Sequence, residues 1–167
     1  MADHTERETE ALAAYRAYVA QRDRCVAGQA PWSSIGAWFT PDAVFIDPAW
    51  GRAEGREEIA DLMTRAMAGL EDWSFPEEWT MVEGDRVVTF WWNQLPGTRP
   101  DGSPNRAPAF SILHHAGDGL FDYELDLVNM AEVGELLRDS GWMPGPGMNL
   151  PPSDPNRDVT PRRLATP

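Results

Sequence analysis

The sequence predicts an α+β domain in which helices come first and a curved, mostly antiparallel sheet wraps round them. Three observations lead there. Up to Leu70 the apolar residues recur at helical offsets. From Trp73 onward they form runs of β-branched and aromatic residues broken by glycine-containing turns. Helices followed by a meander define the class. The third observation is size: 167 residues, 42% of them hydrophobic and 25% charged, make one domain rather than two. A chain of this length hides about 70% of its extended surface on folding, so a sizeable core is available. A sheet that curves round helices also leaves a cavity.

The elements follow in order. Thr5 and Glu8 offer a capping box in front of Leu12, Tyr15, Val19 and Val26, with Tyr18 on the same side as Tyr15, so a first helix is expected over residues 6–27. Gly28 and Pro31 end it. Ile35, Trp38 and Phe39 predict a short helix, stopped by Thr40-Pro41 because proline forces the preceding backbone out of the α region. Residues 43–46 read as a strand that ends at Asp47-Pro48, and residues 48–51 turn the chain. Ile59, Leu62, Met63, Ala66, Met67 and Leu70 form the clearest helical stripe, with Glu57 and Glu58 in the first turn, where the helix dipole favours them. Two hairpins should follow, one of residues 75–82 and 86–95, the other of residues 107–115 and 120–128, with a long loop over 96–104 between them. A short helix fits residues 130–138, with Gly141 as its stop. The domain is therefore expected over residues 1–142, and the proline-rich residues 143–167 as an extended arm or a disordered tail.

Composition excludes several function classes. Lys and Arg number 14 against 27 Asp and Glu, a net charge of −13, and such a surface repels phosphate backbones and anionic lipid. Neither nucleic acid nor a membrane is an expected partner. One cysteine, Cys25, cannot form an internal disulfide. Residues 1–8 are too charged for a secretory leader, and no stretch approaches the roughly 18 apolar residues of a membrane span. A cytoplasmic protein is the expectation.

The run Asp42-Ala43-Val44-Phe45-Ile46-Asp47-Pro48, then Gly51, then Gly55-Arg56-Glu57-Glu58-Ile59, resembles the nuclear transport factor 2-like superfamily in its SnoaL-like and ketosteroid isomerase-like branch. The resemblance in element order covers about residues 6–140, and that in motif residues 38–63. It implies a cone-shaped half-open barrel (nuclear transport factor 2-like, cystatin-like) with a deep apolar pocket, commonly in a dimer. It implies a pocket for a hydrophobic small molecule, steroid- or polyketide-like. The first reading is a cofactor-independent acid/base enzyme of isomerase, dehydratase or cyclase type; the alternative is a non-catalytic ligand-binding or dimeric scaffold protein.

Asp47 leads the candidate catalytic residues. It places a carboxylate where an apolar strand gives way to a turn, and partial desolvation there would raise its pKa toward the range of a proton shuttle. It matches the isomerase general base in the Asp-Pro motif; a carboxylate that simply accepts turn hydrogen bonds is the competing account. Tyr18 resembles the isomerase tyrosine that donates to a developing enolate, with Tyr15 as its competitor. The isomerase pattern also needs a protonated Asp, and Phe110 or Ser111 stands there instead. Asp126 resembles the SnoaL-like acid/base aspartate. Alternation puts it with Asp122 and Glu124 on one strand face, outward if the apolar set faces in, inward if a bulge near Gly119 shifts the phase. Trp38, Phe45, Trp50, Met63, Trp92 and Phe110 are the expected substrate-binding residues. Trp91 and Trp92 must face opposite sides of their strand, and the outward one marks the sheet face through which a homodimer is expected. His114 and His115, adjacent on a strand, cannot chelate one ion together, so no metal is expected. With no Gly-rich phosphate loop, no nucleophile elbow and no paired thiols, no cofactor is expected either.

Overall fold

The computed structural model describes residues 4–162, so the first three residues of the expected domain and the last five of the expected arm lie outside the described residues. Helix α1 (His4–Val26) is followed by a 3-10 helix (Trp32–Trp38), strands β1 (Phe39–Asp47) and β2 (Gly51–Glu54), and helix α2 (Arg56–Met67). Strands β3 (Glu77–Glu83), β4 (Arg86–Thr98), β5 (Pro104–Gly117) and β6 (Leu120–Val128) come next, then helix α3 (Met130–Ser140). The six strands form one curved, open sheet in the order β2-β1-β6-β5-β4-β3. All neighbours are antiparallel except β1 and β6, which run parallel, so the sheet is mixed.

The helices fill the concave side. On α1 the buried stripe is Ala11, Ala14, Tyr15, Tyr18 and Cys25, while Leu12 is 38% exposed. The alanines let the helix approach the sheet closely, so Leu12 turns to the outside of the stripe expected to contain it. Ile59 and Leu62 of α2 join Tyr15, Tyr18, Ile35, Phe39, Phe45, Leu113 and Phe121 in the main core. A second cluster, Trp73, Leu95, Ala107, Val133 and Leu136, forms under α3. The asparagine before α3 caps it, the Asn129 Oδ1 accepting from the amides of Ala131 and Glu132.

Two local features differ from the sequence expectation, and a third decides between its alternatives. Residues 51–54, which begin at the last residue of the expected turn and where no strand is expected, form the edge strand β2, with Gly51 paired to Asp47. The expected loop 96–104 is shortened to residues 99–103 by the long ends of β4 and β5, Thr98 pairing with Pro104. The third is a bulge in β6: Tyr123 pairs with His114, yet Phe121 pairs with His115, so Asp122 is an extra residue. Phe121 therefore packs in the main core, while Tyr123 and Leu125 pack with Val44 and Ile46 on the opposite face of the sheet.

Beyond α3 the chain runs on as an extended arm across α2 and β2. The Gly145 amide donates to the Gly69 carbonyl (2.8 Å), the Arg52 amide to the Asn156 carbonyl (2.8 Å), and the Tyr123 hydroxyl to the Val159 carbonyl (2.7 Å). Arg52 Nη1 reaches the carbonyls of Asp158 (3.0 Å) and Thr160 (2.7 Å). At Gly51, whose φ is +84°, a Cβ would lie 2.7 Å from the Asn156 carbonyl oxygen, so this close approach of two backbones requires glycine.

Candidate functional site

Between α1, α2, α3 and the concave face of the sheet lies a cavity of about 310 Å³. Its walls are mostly apolar, with Phe45, Trp50, Met63, Phe75 and Trp91 among them, and Trp142, Met148 and Pro151 of the chain after α3 contribute to the rim. Tyr18, Arg22, Asp47, Ser111, Glu124 and Asp126 bring polar groups into this apolar space.

The sheet puts the carboxyl groups together. Because β1 and β6 are parallel, with Phe45 beside Glu124, the inward side chains two residues on are Asp47 and Asp126. The bulge at Asp122 is what turns Glu124 and Asp126 inward; without it the alternation that buries Phe121 would send both to the outer face. Asp47 Oδ1 accepts from the amides of Ala49 (2.7 Å) and Trp50 (2.8 Å), which closes the β1–β2 turn. The turn-forming and cavity-facing accounts of this residue both hold. Burial pushes its carboxyl above the usual aspartate range, and the two amide donors oppose that rise.

Asp126 is held by a short hydrogen bond from the Ser111 hydroxyl, which in turn accepts from Trp91 Nε1 at 2.8 Å. Burial pushes the Asp126 carboxyl up to about 7; the Ser111 bond acts against this, and the nearby Asp47 charge adds to it. Glu124, 3% exposed, has a buried Oε2 without a partner, and burial together with Asp126 raises its carboxyl well above the usual range. A buried carboxyl with no paired cation is stable as the neutral acid.

The two tyrosines of α1 separate clearly. The Tyr15 hydroxyl lies 2.9 Å from Glu77 Oε2 and 2.8 Å from Thr89 Oγ1, so it is tied to the sheet. The Tyr18 ring packs edge-on against Phe39 and Phe121 with centroids 5.9 and 5.8 Å away. Burial and the facing Glu124 hold the Tyr18 hydroxyl well above the usual phenol range, so it stays a donor at any working pH.

Residues 16–123, more than half of the chain, match the SnoaL-like domain. The chain belongs to the SnoaL-like family. Solved structures agree on the fold of this SnoaL-like domain. A Jannaschia sp. CCS1 protein provisionally named a SnoaL-like polyketide cyclase aligns with TM-score 0.60 at 18% identity, over 86% of this chain and 100% of its own. An LEH-like epoxide hydrolase of M. tuberculosis aligns with TM-score 0.59 at 17% identity, over 80% and 94%. A steroid delta-isomerase of Pseudomonas aeruginosa aligns with TM-score 0.53 at 17% identity, over 77% and 90%. At these identities the likeness is one of fold. Among curated proteins no match is found.

Asp47, Tyr18 and Asp126, the last just beyond the matched residues, meet at one cavity, and Phe45, Trp50 and Met63 line it. Trp38, Trp92 and Phe110 are placed elsewhere. Trp38, at the end of the 3-10 helix, packs on the core from outside the cavity. Inward positions on β4 are Val87, Thr89, Trp91 and Asn93, so alternation sends Trp92 to the outer face, where Arg106 stacks on it at 4.0 Å. Phe110 pairs with Phe90 on that same outer face, leaving Ser111 inside.

Sequence reasoning did not assign Arg22, Glu124 or Trp73 to the site, though all line the cavity, and it left Ser111 open against Phe110 and Trp91 against Trp92. Arg22 carried a usable signal, since it follows Tyr15 by seven residues and Tyr18 by four on one helical face. Glu124 and Ser111 carried none that local pattern could read, because their inward direction depends on the β6 bulge and on strand pairing. Of the two adjacent histidines, His114 is held between Asp122 (Nδ1, 2.5 Å) and Asp85 (Nε2, 2.9 Å), while the His115 ring packs on Phe121 in the core. No helix among the described residues is long and apolar enough to cross a membrane.

Proposed function

We propose that this SnoaL-like domain is a cofactor-independent acid/base enzyme acting on a hydrophobic small molecule, in a reaction of the isomerase, dehydratase or cyclase kind. The observation that carries the reading is the meeting of Asp47 and Asp126, from two parallel neighbouring strands, in one apolar cavity that Tyr18 faces from α1. Two carboxyls whose environments differ are what proton transfer at neutral pH needs. Asp47, stabilised in its ionised form by two amide donors, is suited to take a proton. Asp126, near pH 7 half protonated, is suited to return one to another atom of the same molecule. Tyr18, always protonated, is placed to donate to an oxygen that gains charge between these steps. The apolar walls exclude water and select the substrate class.

The test is Asp47→Asn. Ligand affinity should be kept and turnover should fall by about a hundredfold or more, the usual worth of a positioned general base. Retained turnover would return Asp47 to a turn-forming role and favour the non-catalytic ligand-binding reading. We also propose that the domain forms a homodimer through its outer sheet face. Trp79, Phe90, Trp92 and Phe110 form a continuous layer of ring contacts there, with Trp79 40% and Phe110 37% exposed.

A further inference from the structure

Arg22 is the charged donor of the cavity that proton transfer leaves without a task. It is the one basic side chain among the described residues that line the cavity, and it is only 15% exposed. Its Nη2 donates to the Phe75 carbonyl at 2.9 Å and touches Asp23 Oδ1 at 3.4 Å, but Asp23 is 64% exposed and such a surface pair contributes little. Its Nε is buried with no hydrogen-bond partner. Burying that donor without an acceptor is costly, and Arg22 Nη1, which makes no hydrogen bond among the described residues, is the guanidinium donor left for an acceptor that enters the cavity.

The placement says which acceptor. Tyr15, Tyr18 and Arg22 form one stripe of α1, so the donors occupy one wall of the cavity. Asp47, Glu124 and Asp126 occupy the facing wall, on β1 and β6. Among the described residues none of these three carboxyls hydrogen-bonds or ion-pairs with Arg22, whose contacts are the Phe75 carbonyl and Asp23, so the facing wall leaves the guanidinium a donor to give. We propose that Arg22 is the anchoring residue of the ligand: the cavity takes a bulky apolar molecule bearing one acidic oxygen substituent, a carboxylate, enolate or phenolate, which the guanidinium holds against the α1 wall. This deepens the substrate class of the same cavity and rests on its reading as a substrate site, but it requires no catalysis.

The experiment compares two fluorescent probes of nearly the same shape. Anilinonaphthalene sulfonate carries an anionic group that stands in for the acidic oxygen; N-phenylnaphthylamine lacks it. The full chain should bind the sulfonate about ten- to a hundredfold more tightly than the neutral probe, the usual worth of charge-assisted hydrogen bonds. Arg22→Met should bring the two affinities within about twofold of each other while leaving the neutral probe's affinity unchanged. Arg22→Lys should recover part of the preference. Met63→Trp, which fills the cavity from α2, should weaken both probes. Equal affinities in the unmodified protein, a preference that persists in Arg22→Met, or sulfonate binding untouched by Met63→Trp would each overturn the proposal. No turnover is measured, so these failures would leave the Asp47 and Asp126 reading intact, and a catalytically silent Asp47→Asn result would leave this one intact.

Discussion

Replacing Asp126 by Asn should change how stability depends on pH. Burial raises the native carboxyl to about 7, whereas an unfolded aspartate titrates near about 3.9. A native value raised above the unfolded one means that the stabilising contribution is complete below about pH 4 and is lost as pH rises through about 7. The gap of about three pH units, at roughly 1.4 kcal/mol each, sets a ceiling of roughly 4 kcal/mol on that loss. Asp126 keeps part of its surface open to the cavity, where water relaxes around the charge, so about 2 kcal/mol is the expected size. Asparagine preserves the acceptor for Ser111 and cannot ionise. Urea unfolding at about pH 5 and about pH 8 should show the unmodified protein losing more stability across this interval than the variant, by about that amount. At the higher pH the variant should be the more stable of the two. Parallel stability profiles for the two proteins would refute the claim that Asp126 titrates in a desolvated site. The Glu124 and Asp126 carboxyls interact, so the difference between the two proteins reports the titration of the pair.

Other consequences can be checked one at a time. Tyr15→Phe removes the hydroxyl that links Glu77 and Thr89 and should cost about 1–3 kcal/mol by chemical denaturation. Gly51→Ala places a Cβ against the arm at a positive φ and should cost about 1–3 kcal/mol, with faster hydrogen exchange at the Arg52 amide that the Asn156 carbonyl holds. Phe110→Lys on the outer aromatic face should convert a dimer to a monomer in sedimentation velocity while leaving the unfolding transition of the domain in place; an unchanged sedimentation coefficient would remove that face from the interface.

Much of the site was legible because its signals are local. The end of β1 at Asp47-Pro48 needs no tertiary information: an apolar strand, a carboxylate that can accept turn amides and a proline that cannot continue the ladder all sit within a few residues. The same holds for α2, whose stripe of Ile59, Leu62 and Met63 is set by helical period alone. Asp126 was different. Strand alternation assigns its face only relative to a phase, and one inserted residue, Asp122, reverses that phase for everything after it. Trp91 and Trp92 show the same ambiguity without a bulge: the pair must split, but which ring turns inward depends on how β4 registers against β5.

By itself the chain's pattern of apolar period and turn residues determined the order of elements apart from β2, the α+β class and the strand-ending carboxylate, because each is decided by interactions within a few residues. Tertiary structure alone decided three things. Parallel pairing of β1 with β6 joins residues some eighty positions apart and sets Asp47 beside Asp126. The bulge turns Glu124 and Asp126 into the cavity. The arm is held at Gly69 and on β2 by backbone hydrogen bonds and by the Arg52 and Tyr123 side chains, which reach its carbonyls; every peptide offers such carbonyls, so no pattern in the arm's own side chains announces it.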